Sequence, residues 1–199
     1  AHGITVVHVV SSVKFALKSE EAGVDAVVAE GFEAGGHNGR EETTTMCLIP
    51  SVAKACSIPV IAAGGISDGK SVLASMVLGA EGAQLGSRFV ASEESSAHLA
   101  FKNAVLASGE GDTTLTLKEL TPVRMLHNGL FRELSEAKQN GATPEQLSAI
   151  LGKGKAKKGM FEGDLEKGEL EIGQISALLK TILPASEIVS DIVQSYRTA

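Results

Sequence analysis

The chain has 199 residues, of which 43% are hydrophobic and 22 are glycine, and its formal net charge is −6. That length gives one domain with a sizeable core, and the composition excludes a disordered chain. The acidic balance disfavours a nucleic-acid partner, because a polyanion needs a basic patch. Along the chain, "ITVVHVV" from Ile4 to Val10 is a short β-branched run that reads as a buried strand. "SVKFALKSEEAG" follows as a helix, with Ser12 as N-cap and Gly23 as stop. "VDAVVAEG" is the second strand, and it runs into the Gly-rich stretch "EGFEAGGHNG". "TMCLIPSVAKAC" is predicted helical, with Pro50 near a first turn or a kink. "IPVIAAGG" is a strand, and "DGKSVLASMVLGA" is a helix ending at Gly79. "EGAQLGSRFV" is the fourth strand, and "SEESSAHLAFKNAVLAS" is the fourth helix, with Ser92 as N-cap and acidic residues in its first turn.

This alternation predicts βαβ units and a parallel sheet over residues 1–108. From Gly109 the strand signal fades, and residues 109–199 read as a helical region of four pieces: "PVRMLHNGLFRELSEAK", "TPEQLSAILGKGKAKKG", "GELEIGQISALLKTIL" and "PASEIVSDIVQSYR". Pro144 stands at the first position of a helix after Thr143. The short basic run "GKGKAKKG" reads as a solvated loop or helix face. Cys47 and Cys56 have no metal-ligand spacing and read as isolated buried thiols of a reducing, cytoplasmic setting. No run reaches the roughly 18 apolar residues of a membrane span. The opening residues show neither the basic start nor the cleavage site of a signal peptide. No cluster of residues has metal-ligand spacing, and no metal is expected.

The chemistry concentrates at strand ends. "VIAAGGIS" ends a strand in Gly64-Gly65, and the next strand ends in "QLGSRF", with Gln84, Leu85, Gly86 and Ser87. Glycines expose backbone N–H groups that cradle phosphate oxygens, Ser87 adds a donor, and Arg88 could add charge. In (β/α)8 barrels phosphate is commonly held by the loops after strands seven and eight. On that reading "ITVVHVV" is strand five, and His37, flanked by Gly35, Gly36 and Gly39, lies on the loop after strand six. An imidazole there can trade a proton near neutral pH, and the glycines let a flat ligand approach. A plain Gly-rich turn with a solvated histidine is the alternative. His8 reads as a packed core histidine, His98 as a surface residue within a helix, and His127 as a residue of a tail helix. Asp112, Thr113 and Thr114 read as a turn.

In order along the chain, "AEGFEAGGHNG", "TTM", "IPVIAAGGISDG", "GAQLGSRF" with "SEES", "GDTT", "PVR" and "FEGDLEKGELEIGQ" resemble the nitronate monooxygenases, formerly called 2-nitropropane dioxygenases. They equally resemble the flavin-dependent enoyl-acyl-carrier-protein reductases II. The resemblance covers nearly the whole chain. It implies the C-terminal half, strands five to eight, of an FMN-binding TIM barrel, followed by a helical C-terminal tail. It implies His37 as catalytic acid/base and Gly36 against the flavin. It places FMN, chiefly its phosphate, on Gly64, Gly65, Gln84, Leu85, Gly86 and Ser87.

Four earlier βα units of the family have no counterpart here. The lysine that many members carry beside the flavin is matched by Val9, next to His8. Four parallel strands without closure leave open edges. The expected partner is therefore the missing N-terminal half of a longer polypeptide or, failing that, a homo-oligomer partner. The implied activity is oxidation of alkyl nitronates or nitroalkanes with O2. The alternative is NAD(P)H-dependent reduction of an enoyl thioester. A phosphate site like that of inosine-monophosphate dehydrogenases is a third reading, but it needs a cysteine where His37 stands, and Cys47 lies too far into the following helix. An inactive fragment that binds flavin weakly is the non-enzymatic reading.

Overall fold

The computed structural model describes residues 3–199, and these fall into two compact units. The first comprises the residues up to Ala34, then Asn38–Gly86 and Ser186–Ala199; the second comprises Gly35–His37 and Ser87–Ala185.

The first unit is an α/β layer. Its strands are β1 (Val7–Val10), β2 (Ala26–Glu30), β4 (Val60–Ala63) and β5 (Gly82–Gln84), all parallel, in the order β1-β2-β4-β5. Helices α1 (Val13–Glu21), α2 (Thr45–Ala55) and α3 (Gly69–Val77) connect them. β2 and β4 form the middle of the sheet, and their valines and alanines pack with Leu48, Ile49 and Val52 of α2. Apolar side chains on both faces are what a central parallel strand requires. Ser12 caps α1 by accepting from Phe15 N at 3.4 Å. Asp68 and Ser71 close a capping box on α3, and Gly79 follows it at φ 103°. The Ser12 cap and the helix end at Gly79 match the sequence reading, which did not include the capping box. Pro50 is the sixth residue of α2, inside the helix and past its first turn.

β1 departs most. Only Val10 of the predicted buried run is buried; Ile4 is 74% exposed, and Val7 and Val9 are 46% and 48% exposed. Among the described residues no strand pairs with the outer edge of β1, so its valines meet solvent. His8, expected in the core, is exposed on this same strand. The unit is completed by α8 (Ala185–Thr198), whose Ser195 Oγ accepts from Gly69 N at 2.8 Å.

The second unit holds an antiparallel sheet that the sequence reading did not contain. β3 (Gly36–His37), β6 (Thr113–Thr116) and β7 (Val123–Leu126) pair in the order β3-β7-β6. The helix read through "PVRMLHNGLFRELSEAK" is therefore two elements. β7 comes first, then α6 (Gly129–Gln139) begins at Asn128, whose Oδ1 accepts from Phe131 N. Asp112 ends the turn expected at 112–114, while Thr113 and Thr114 are already strand. His127 is exposed at the end of β7, 2.7 Å from Thr114 Oγ1 and stacked on Phe131, rather than in a helix.

The fourth strand also stops early. After Gln84 the chain turns into a short helix, α4 (Ser87–Val90), and the next helix, α5 (Leu99–Ala107), starts seven residues later than Ser92. Its N-cap is His98, whose Nδ1 accepts from Ala100 N at 3.1 Å, while Ser92 Oγ donates to Phe89 O. α7 (Pro144–Leu151) has the expected Thr143 cap, with Gln146 completing the box. "GKGKAKKG" enters a π-helical turn at Lys157–Phe161, where Lys157 and Lys158 pair with Glu162 and Asp164. "GELEIGQISALLKTIL" is not an α-helix: it runs extended through Glu171 and then forms a 3-10 turn at Gln174–Leu178. One core gathers Phe101, Val105, Leu126, Leu170 and Ile172; another gathers Val123, Met125, Leu130, Leu134 and Leu147.

No helix among the described residues is long and apolar enough to cross a membrane. Cys56 is half-buried and Cys47 is exposed, which corrects the expectation of two buried thiols.

Candidate functional site

In the first unit the loops of interest leave the C-terminal ends of three paired strands. Glu30 stands in register with Ala63, and Ala63 with Gln84. The turns Gly31–Ala34, Gly64–Gly65 and Leu85–Gly86 therefore emerge side by side. Gly64 and Gly65 have φ of 89° and 71°, a region that L side chains enter only at a cost. A Cβ on Gly64 would lie 2.8 Å from Gly31 O, and one on Gly65 would lie 3.4 Å from the Glu33 side chain. A Cβ on Gly86 would meet no protein atom within 4 Å. Gln84 is exposed and Leu85 half-buried.

A polar network that sequence reasoning missed fixes this rim. Glu33 accepts from Thr45 N at 2.9 Å, serving as the cap that Thr44 does not provide for α2. Thr45 Oγ1 lies 2.9 Å from Glu33 Oε2 and 2.8 Å from Gly64 O. "TTM" carried the signal for this network, but Glu33 lies twelve residues upstream, in the glycine loop. Burial raises the Glu30 carboxyl above the usual range. Between Ala34 and Asn38 the chain leaves the first unit for three residues, and Asn38 Nδ2 donates to Ala34 O at 3.0 Å across that gap.

In the second unit those three residues, Gly35 to His37, end in the strand β3. Gly36 pairs with Arg124 and His37 with Val123 of β7. His37 is exposed and Gly36 is buried. Gly35 packs against the backbone of Ile172 and Gly173 so closely that no side chain could replace its hydrogen. Gly36, at φ 76°, has the Glu171 carboxylate where a Cβ would stand, with Oε2 2.6 Å away. Burial raises the Glu171 carboxyl, and the nearby His37 pulls it back down. Burial, reinforced by the Glu171 charge, pushes Glu169 up to about 7. Ser87 Oγ accepts from Gly173 N at 3.0 Å, which leaves its own proton to donate. Arg88, offered by the sequence as a phosphate ligand, donates to Thr181 O at 3.4 Å.

Thus Gly64, Gly65, Gln84, Leu85 and Gly86 cluster on one rim of the first unit, while Gly36, His37 and Ser87 belong to the second. The two acidic residues of "GELEIG" were quoted in the sequence as motif letters only. Among the described residues no group of three or more His, Cys, Asp or Glu side chains is arranged to hold a metal ion.

Comparison with known proteins now bears on the chain. The model of the nitronate monooxygenase family matches residues 1–195. A probable nitronate monooxygenase of Staphylococcus aureus (strain MSSA476) is 38% identical over 204 aligned positions, covering 96% of this chain and 56% of the relative. The structure of FabK from Thermotoga maritima superposes with a TM-score of 0.92 at 40% identity, over 98% of this chain and 62% of that one. A nitroalkane oxidase from Streptomyces ansochromogenes gives a TM-score of 0.80 at 30% identity, over 98% of this chain and 58% of that one. The chain spans a little over half the length of the curated relatives it matches. With this match along almost its entire length, the chain belongs to the nitronate monooxygenase family.

Proposed function

We propose that the chain is the phosphate-binding and acid/base part of an FMN-dependent oxidoreductase that oxidises alkyl nitronates, or their parent nitroalkanes, with dioxygen. The observation that carries the cofactor is the rim of the first unit. Two left-handed glycines and Gly86, where a Cβ would meet no protein atom within 4 Å, follow paired strands, so none of the three carries a side chain of its own over its backbone N–H group. Such a cradle fits a phosphate, and the Ser87 hydroxyl has a proton to add. Gly64, Gly65, Gln84, Leu85, Gly86 and Ser87 would hold the FMN, with Gly36 against its ring. When bound, the flavin supplies the acceptor for the electrons that leave the substrate carbon.

The chain's own share of the chemistry falls to His37. Its exposed imidazole takes the α-proton of a neutral nitroalkane on a ring nitrogen, or donates a hydrogen bond to the nitro oxygens of a nitronate that has already lost that proton. The four parallel strands are strands five to eight of an eight-stranded barrel, and the exposed edge of β1 is where a further strand pairs. The N-terminal half of such a barrel, or failing that a second copy of the chain, is the partner for that edge.

A second reading keeps the same cofactor and histidine but gives the electrons to an enoyl thioester, with NAD(P)H as reductant. What favours it is the higher similarity to FabK, at 40% identity, than to the nitroalkane oxidase, at 30%. The test is direct. Protein loaded with FMN is assayed for oxygen uptake with propionate 3-nitronate and for NADPH consumption with a crotonyl thioester. Oxygen uptake alone supports the first reading, and NADPH consumption dependent on the thioester replaces it with the second. Failure to retain FMN overturns both.

A further inference from the structure

Gly64 and Gly65 share one peptide unit. Glycine accepts either sign of φ, so a Gly–Gly peptide can turn about its flanking bonds and present its C=O or its N–H to a given side. In a planar trans peptide those two groups point in opposite directions. Here one orientation is selected: Thr45 Oγ1 lies 2.8 Å from Gly64 O, so the Gly65 N–H is turned away from Thr45. Among the described residues no protein group accepts from that N–H.

Thr45 is itself held from the loop after β2. Its N–H donates to both oxygens of the Glu33 carboxylate, at 2.9 and 3.2 Å, and its Oγ1 lies 2.9 Å from Glu33 Oε2. The stem of the same glutamate runs beside the turn, where a Cβ on Gly65 would stand 3.4 Å from Glu33 Cβ and Cγ. Gly31 leaves the space for this pair: a Cβ there would collide with Thr45 Oγ1 and lie 2.7 Å from Glu33 Oε2.

From this chain of contacts we propose that Glu33 is a positioning residue of the phosphate cradle. It fixes Thr45, Thr45 fixes the Gly64 carbonyl, and the Gly65 N–H is thereby presented to the phosphate monoester of the cofactor. Glu33 acts through Thr45 and not on the ligand, by its reach and not by its charge. The proposal rests on the reading of Gly64 and Gly65 as part of the FMN site.

The experiment watches this one peptide. With 13C at glycine carbonyls and 15N at glycine nitrogens, a carbonyl-to-amide NMR correlation shows only glycines that follow a glycine, and these are Gly36 and Gly65. Gly36→Ala removes the first signal and so assigns the second. In the flavin-free chain, Glu33→Ala should shift the Gly64 carbonyl resonance as Thr45→Val does. FMN added to the wild type should move the Gly65 N–H resonance. Glu33→Ala should weaken FMN binding roughly tenfold, the loss of about one positioned hydrogen bond. In the Thr45→Val background the same change should cost little more, because both act on one carbonyl. Glu33→Gln keeps the reach and should bind nearly as wild type. Glu33→Asp keeps the charge but is one methylene short; it should behave as alanine, and it serves as the test if Glu33→Ala does not fold. A Gly64 carbonyl resonance and an FMN affinity unchanged in Glu33→Ala or Glu33→Asp overturn the positioning role. If FMN leaves the wild-type Gly65 resonance unmoved, the cradle reading fails and this proposal with it.

Discussion

Thr45 Oγ1 stands between Glu33 Oε2 at 2.9 Å and Gly64 O at 2.8 Å, so one hydroxyl ties the glycine turn after β4 to the loop after β2. A hydroxyl has a single proton, which the two acceptors share. Thr45→Val keeps the shape and removes the tie. The expected loss is about 1–2 kcal/mol of unfolding free energy, as for a part-buried hydrogen bond whose partners are left behind. FMN affinity should weaken as the Gly64 turn loosens. Urea unfolding followed by flavin titration checks both; unchanged affinity would show that the turn holds its shape without Thr45.

Two glycines of the proposed phosphate cradle should respond in opposite ways. Gly64→Ala places a Cβ 2.8 Å from Gly31 O at a left-handed φ, and should cost about 1–3 kcal/mol whether or not flavin is bound. Gly86→Ala meets no protein atom within 4 Å and should leave the apoprotein within about 0.5 kcal/mol of wild type. Its effect should appear in FMN affinity, as a loss of about tenfold or more, equivalent to 1.4 kcal/mol. Apoprotein melting and flavin absorbance after gel filtration separate the two. A Gly86→Ala protein that keeps its flavin removes Gly86 from the cradle.

His37→Ala is expected to cost about 10²–10⁴-fold on a neutral nitroalkane, the usual loss for a general base. On the pre-formed nitronate, which has already surrendered its proton, the loss should be smaller. Steady-state rates on both forms, with flavin content matched, check this. Equal rates for variant and wild type would make His37 a structural residue of β3.

Glu169 is buried at 7% exposure, and its carboxyl is raised from 4.5 to about 7. The folded chain therefore holds this proton more tightly than the unfolded chain does. The resulting stabilisation is complete below about pH 4.5 and fades as pH rises through about 7. The shift corresponds to roughly 3 kcal/mol at about 1.4 kcal/mol per unit. Glu169→Gln, which stays neutral, should flatten this part of the stability curve and exceed wild-type stability at pH 8. Denaturation at pH 5, 6, 7 and 8 reads it directly; parallel curves would show that Glu169 titrates normally.

Much of the first unit was legible because its central strands obey a simple rule. Val27, Val28 and Ala29 are buried on both faces, and the helices between strands carry conventional caps at Ser12 and Asp68. The same rule misled at β1, where a similarly valine-rich run lies at an uncovered edge: periodicity reports what a side chain prefers and not whether a neighbour is present. The second unit was illegible for another reason. β3 is two residues long, and "TTLT" and "VRML" are four each, too short for alternation to outweigh the helical pattern that follows Asn128. Ser92 was a sound N-cap by residue type, but tertiary pairing of that segment with Leu183 holds it extended, and His98 takes the role instead. In the candidate site, His37 and the glycines were readable as punctuation at strand ends. Glu171 was not, because only the fold brings its segment onto the edge of β7.

The return of α8 to the first unit governs the order in which the chain can mature. Gly69 leaves no room for a side chain against the backbone of Ile192 and Tyr196, its N–H is held by Ser195, and Ile188 is fully buried. The first unit is thus completed by a segment synthesised only after the whole of Ser87–Ala185 has been made. At about 5–20 residues per second a ribosome takes roughly 5–20 s over that stretch. During this interval Gly69 lacks its helix. Nascent chains halted before Ser186 should therefore expose the α3 surface to proteases, even though every strand of the sheet has already emerged.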